Sequence, residues 1–176
     1  MGTLIRTPRL ELAPVTLAMI EAVMLGRRED AEALVAARMP ERWPNPELVE
    51  RAFTVSLDAI RADPDARLWG DHVMVVGEDE RRVVGSVVFH GKPDGSGLAE
   101  IAYGVEEASQ GRGFATEAVG ACVDWALAQH RVVAVQATTF AWHRPSLRVL
   151  EKVGMIPAGT RDHETLGEML VFERRR

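Results

Sequence analysis

Gly111 and Gly113 bracket Arg112 between an apolar, β-branched run and a stretch of helical periodicity. Glycines at these two places let the backbone take positive φ and come close to a ligand with no Cβ in the way. A helix opening directly behind such a loop turns its unpaired N–H groups and the positive end of its dipole toward whatever lies there, which favours an anion. Arg112 would add a full charge. The chemistry indicated by the loop alone is therefore the holding of a phosphate.

Two common nucleotide loops fit badly. A P-loop needs Gly-Lys followed by Ser or Thr, and the chain has no such run. A dinucleotide fingerprint matches Gly111-x-Gly113, but Thr116 stands at its third glycine, and no acid ends the next strand near Gln136. The residues do match Gln-x-x-Gly-x-Ala, as Gln110-Gly111-Arg112-Gly113-Phe114-Ala115. This resembles the acetyl-CoA pyrophosphate loop of the GNAT N-acetyltransferase superfamily. The segment Ser146-Leu147-Arg148-Val149-Leu150-Glu151-Lys152-Val153-Gly154-Met155 is similar to a second motif of that superfamily, with Met155 for its Phe and His143 where Asn is usual. Thr7-Pro8-Arg9-Leu10 resembles the branch that acetylates ribosomal-protein N-termini.

The resemblance implies an N-acetyltransferase that moves acetyl from acetyl-CoA to a primary amine, on a protein N-terminus or a small molecule, by direct attack. It also implies that Ala102, Tyr103, Gly104 and Val105 hold the pantetheine arm, while Gln110, Gly111, Arg112, Gly113, Ala115 and Thr116 hold the pyrophosphate end. Alkylammonium acceptors are mostly protonated at neutral pH, so a carboxylate base is needed, and Glu100 is the candidate. Many members protonate the leaving thiolate with a tyrosine on the last helix. The one tyrosine here is Tyr103, so Ser146 is the first candidate donor and His143 the second. Trp43 and Trp142 are candidate walls of the acceptor pocket, and His72 and His90 could line the same cleft. An acyl-CoA sensor with little turnover is the alternative; a nucleotide-binding module is disfavoured by the failed loop matches.

These residues need a scaffold, and the periodicities describe one. Leu10, Leu12 and Val15 read as an edge strand, and Thr16 caps a helix carrying Leu17, Ile20, Val23 and Met24. A helix follows from Arg28 to Arg38, and another is predicted from Pro46 to Ala62, ended by Asp63-Pro64. Residues 68–76, 83–89 and 98–105 form a meander, and residues 115–129 a helix. A strand over 132–140, a helix over 145–153 and strands over 156–161 and 168–174 complete the chain. The strand–helix–strand unit makes the strands at 98 and 132 parallel. The expected fold is one α/β (α+β) domain spanning 1–176. It has a mixed, mainly antiparallel sheet of six to seven strands, helices on both faces, and a central parallel pair splayed to hold acetyl-CoA.

Composition bounds the rest. A chain of 176 residues with 47% apolar content suits a single core, and the net charge of −5 argues against a nucleic-acid surface. Arg174, Arg175 and Arg176 are expected to be a solvated tail. One cysteine, Cys122, on the apolar side of its helix, reads as a core residue. The histidines show no ligand spacing, so no metal is expected. No apolar run suits a signal peptide or a membrane span, so a cytoplasmic location is expected; a homodimer is possible.

Overall fold

The computed structural model describes residues 2–41 and 57–176. Its strands are β1 (Ile5–Arg6), β2 (Glu11–Pro14), β3 (His72–Val76), β4 (Arg82–Phe89), β5 (Leu98–Val105), β6 (Ala134–Thr139), β7 (Ile156–His163) and β8 (Gly167–Arg175). The helices are α1 (Leu17–Met24), α2 (Arg28–Val35), α3 (Leu57–Ala62), α4 (Pro64–Arg67), α5 (Phe114–Ala128) and α6 (Arg144–Lys152). One sheet of eight strands runs in the order β1-β2-β3-β4-β5-β6-β8-β7. Every neighbouring pair is antiparallel except β5 and β6, which are parallel, as expected for strands joined through α5.

Helices cover both faces. On one side α5 buries Ala118, Val119, Cys122, Val123 and Ala126 against Val87, Phe89, Ala99 and Ile101 of the sheet, and Leu150 of α6 joins them. On the other, Ile20 of α1, Val35 of α2 and Ile60 of α3 pack on Val73, Val75 and Val83. The two apolar sets lie on opposite sides because side chains alternate along each strand.

Several expectations are adjusted. The residues around Leu12 are not at the edge: β1 pairs outside β2, which makes an eighth strand from a two-residue segment too short to leave a periodic signal. Helix α2 stops at Val35, where Ala36 turns left-handed at φ 51. Of the helix expected from Pro46 to Ala62, only α3 falls within the described residues. Asp63-Pro64 does end it, and the same pair opens α4: the Asp63 side chain accepts from the Ala66 N–H, with Pro64 in the first turn.

The arginines of the C-terminus are not a solvated tail. Arg174 pairs with Asp124 of α5 at 2.7 Å, and the Arg176 guanidinium donates to the carbonyls of Leu127 and Gln129. Those carbonyls end a helix and lack partners within it, so a cation there satisfies them and complements the dipole.

β5 lies close against β4 at Gly85. A Cβ on Gly85 would lie 2.2 Å from the Gly104 carbonyl oxygen, which is backbone and cannot move alone. Gly85→Ala should therefore force β5 away from β4 and destabilise the domain by about 1–3 kcal/mol, measured as a lower urea midpoint. An unchanged midpoint would refute this close approach.

Candidate active site

The parallel pairing of β5 and β6 lasts only from Leu98↔Ala134 to Glu100↔Gln136. β5 continues to Val105 paired on one side alone, with β4. The His90 N–H donates to the Glu100 carbonyl at 3.0 Å, so Glu100 turns its backbone groups toward β4. Alternation then sends the N–H and C=O of Ile101, Tyr103 and Val105 to the open edge. Gln110 Nε2 donates to the Val105 carbonyl at 3.0 Å, closing the loop onto the strand end. Ile101 and Tyr103 are left with backbone groups facing the split. Ala102, expected as a backbone ligand, instead turns its N–H and C=O toward β4.

A cavity of about 540 Å³ follows from this edge. It is lined by Tyr103, Gly104 and Val105 of β5, by Gln110, Gly111, Gly113, Ala115 and Thr116 of the loop and α5, and by His143, Ser146, Arg148 and Lys152 of α6. The sequence motifs thus converge on one cleft. Gly111 and Gly113 have φ of 73° and 82°, the left-handed values their type permits. No side chain caps α5, so its first N–H groups are available to an anion. Arg112 and Ala102 do not line the cavity. The Arg112 side chain is exposed, and its carbonyl accepts from Arg9 Nη1 at 2.8 Å.

Tyr103 corrects an expectation. The expected donors are Ser146 and His143 because α6 carries no tyrosine, yet β5 delivers the Tyr103 hydroxyl to that helix. Oη lies 2.9 Å from Ser146 Oγ and donates to the Ser146 carbonyl at 3.3 Å. Burial raises the Tyr103 pKa against the opposing effect of Ser146, so the phenol keeps its proton. His143 caps α6 through its backbone carbonyl and lines the cleft.

Glu100, three residues before Tyr103, lies on the opposite face of β5. Its carboxylate is 3.7 Å from His90 Nδ1 and accepts from Arg161 Nη1 at 3.0 Å, while Arg161 Nη2 donates to Gln136 Oε1 at 3.0 Å. His90 beside it, and then Arg161, hold Glu100 below the usual carboxylate range against the opposite pull of burial. Glu100 in turn raises His90, with Asp71 adding to it against burial and Arg161. Asp71 is itself buried, accepts from the Phe89 N–H at 2.7 Å, and is pushed by burial up to about 7. Arg161 escaped the sequence reading, since nothing local ties a residue of β7 to one of β5.

The remaining expected residues divide. His72 does not reach the cleft: it is buried, each ring nitrogen lies 2.7 Å from a carbonyl, of Gly70 or Thr3, and Trp125 packs on it. Trp142 is 72% exposed and stacks on Phe140, ring centroids 5.2 Å apart, beside His143. Trp43 lies outside the described residues. Cys122 is a core residue, its thiol pushed up to about 12 by burial, with Asp71 adding to it.

A mixed sheet parts at its parallel pair, with a glycine loop and a helix N-terminus at the end of the gap. The chain belongs to the GNAT acetyltransferase family: the acetyltransferase (GNAT) domain matches residues 9–156. Members of that family take their acetyl group from acetyl-CoA. The uncharacterized N-acetyltransferase YjdG of Bacillus subtilis (strain 168) is 25% identical over 155 residues, 87% of this chain and 89% of the relative. A putative GnaT-family acetyltransferase from Bordetella pertussis superposes with a TM-score of 0.69 at 23% identity, over 98% of this chain and 99% of that one. RimL, a ribosomal L7/L12 alpha-N-protein acetyltransferase solved with coenzyme A, superposes at 0.65 with 12% identity, over 99% and 98%.

Asp71 gives the fold a pH dependence whose sign can be worked out. A carboxyl raised from 3.8 to about 7 on folding stabilises the protein most below the lower value, and this contribution is lost as pH rises through the upper one. Asp71→Asn removes that loss and keeps an acceptor for Phe89. Urea unfolding should find the variant close to the parent near pH 4 and more stable at pH 8. A constant difference across that range would contradict the buried titration.

Proposed function

We propose that the chain acetylates a primary amine by direct attack, with the acceptor entering on the Glu100 face of the sheet and the thiol leaving against Tyr103 and Ser146. The observation that carries this reading is the parting of β5 from β6 after Glu100 and Gln136, which leaves a backbone edge leading to the glycine loop. Bound acetyl-CoA supplies an acetyl group activated as a thioester. Ile101 and Tyr103 offer backbone hydrogen bonds to an extended arm, and Gly111, Gly113 and the start of α5 seat an anion. Arg148 and Lys152 on the cleft wall add positive charge at the same end.

On the acceptor side, Glu100 seats the ammonium and accepts its proton directly or through water. His90 is the member of the pair held above the ordinary imidazole value of 6.5, and at 3.7 Å its positive charge keeps the Glu100 carboxylate ionised and able to accept. On the opposite side the Tyr103 hydroxyl, kept protonated and oriented by Ser146, is the proton donor to the departing sulfur. This ranks Tyr103 ahead of Ser146 and His143, which become its partner and the rim of the cleft. A tyrosine hydroxyl within reach of the cleft supports turnover over the acyl-CoA sensor alternative.

The acceptor class follows from charge. Arg161 stands against Glu100 where a polyamine or aminoglycoside would need a second carboxylate, so a single amine is favoured. The likeness to RimL supports a protein N-terminal α-amine as one such acceptor.

Thiol release from acetyl-CoA with a mixed panel of amines tests turnover. Glu100→Gln and Tyr103→Phe should each lower kcat/KM by about 10²–10⁴-fold, the usual range for an acid or base, with CoA affinity unchanged by calorimetry. Wild-type CoA binding without thiol release on any amine would instead establish the sensor. Gly113→Val, which strains a φ of 82° and crowds Arg9, should weaken CoA binding while the domain stays folded; unchanged affinity would sink the loop assignment.

A further inference from the structure

The Thr7-Pro8-Arg9 segment, so far only a mark of kinship, sits on the outside of the glycine loop. Arg9 reaches three parts of it. Its Nε and Nη2 bind Glu117 Oε2 at 2.7 and 2.6 Å, its Nη1 donates to the Arg112 carbonyl at 2.8 Å, and its guanidinium lies 5.1 Å from the centre of the Phe114 ring. The Arg9 N–H and the Thr7 hydroxyl both donate to Glu117 Oε1, at 2.9 and 2.6 Å. One carboxylate in the first turn of α5 therefore takes four donors from residues more than a hundred positions away.

The arrangement answers an electrostatic problem. An anion site at a helix start is weakened by a carboxylate in the same turn, and Glu117 is such a group. Burial pushes its pKa up, but Thr7 and Arg9 outweigh that and hold it ionised below the usual carboxylate range. The same arginine turns the Arg112 carbonyl outward. A carbonyl oxygen pointing inward at this loop would repel a phosphate, whereas the fixed outward orientation leaves the inner side to N–H groups. Gly113 is part of the fit, since a Cβ there would lie 3.3 Å from Arg9 Nη2.

We propose that Arg9 is a positioning residue for the acyl donor: through its fork on Glu117 and its bond to the Arg112 carbonyl, it fixes the pyrophosphate loop in the shape that accepts the anion. This rests on the loop's being the CoA site. Arg9 touches no reacting atom and acts through the loop alone. Lysine cannot replace it, because one ammonium cannot bind both Glu117 and the Arg112 carbonyl with this planar fork.

The test compares wild type, Arg9→Ala, Arg9→Lys and Thr7→Val by calorimetry with CoA and by amide exchange resolved over residues 110–117 and 98–103. Arg9→Ala should weaken CoA binding roughly tenfold to a hundredfold, the range for losing a charge-assisted hydrogen bond. Exchange should quicken at 111–114 and stay unchanged in β5. Arg9→Lys should fall between the two, and Thr7→Val should show a smaller loss of the same kind, which keeps the test open if Arg9→Ala does not fold. Affinity within twofold of wild type in Arg9→Ala overturns the proposal. So does a loss accompanied by faster exchange across β5, which would mark general destabilisation, and so does wild-type affinity in Arg9→Lys, which would reduce Arg9 to a plain charge. Wild type failing to bind CoA overturns the reading of the loop itself, a result separable from the others because it precedes any substitution.

Discussion

A sheet that parts in its middle exposes backbone donors and acceptors where the fold would otherwise pair them. That is the constraint on which the rest of this molecule depends. β5 and β6 share a register for three residues and then separate, so Ile101 and Tyr103 face a gap with their polar groups unspent. Such groups need partners, from protein, water or ligand. An extended amide-bearing arm fits because it presents the alternating N–H and C=O of a missing strand, the same physics by which peptides add to sheet edges. Gln110 takes the last carbonyl at Val105, so the edge ends where the glycine loop begins.

The parting also divides the chemistry between two faces. Alternation along β5 sends Glu100 to one side and Tyr103 to the other, so the proposed base and the proposed acid approach the same gap without meeting. Their surroundings push them apart electrostatically. Glu100 lies beside His90 and Arg161 and stays ionised; Tyr103 is buried against Ser146 and stays neutral. Each is in the protonation state that its proposed role requires, which is the sense in which such a site would be preorganised.

The glycine loop, its helix and the parallel crossover were legible in the sequence because each is a local matter: positive φ needs glycine, helices have a period, and a strand–helix–strand unit has a fixed hand. Residues brought together from distant positions were not. Tyr103 against Ser146, Arg161 against Glu100, and Arg9 against Glu117 join β5 to α6, β7 to β5, and the N-terminal segment to α5. No periodicity encodes such pairs. Tyr103 lies nearest to legibility, since alternation along a strand over 98–105 puts it on the same face as Ile101. His72 differs for the complementary reason: the expected strand shortens to 72–76, and two backbone carbonyls and Trp125 enclose the ring, a fate that its type and position do not announce.

The family's usual Asn before α6 is His143 here, and the local structure explains why the helix tolerates it. An Asn side chain at that position would cap the first turn, a contribution of about 1 kcal/mol that His143 does not make. Pro145 in the first turn presets φ for the helix and has no N–H to satisfy, so the need for a cap is smaller. The His143 carbonyl still accepts from Ser146 and Leu147, which begins the helix in register and keeps Ser146 aimed at Tyr103. The ring, freed from capping, lies against Trp142 at the mouth of the cleft. The departure therefore changes the chemistry of the rim and leaves the Tyr103–Ser146 hydrogen bond in place.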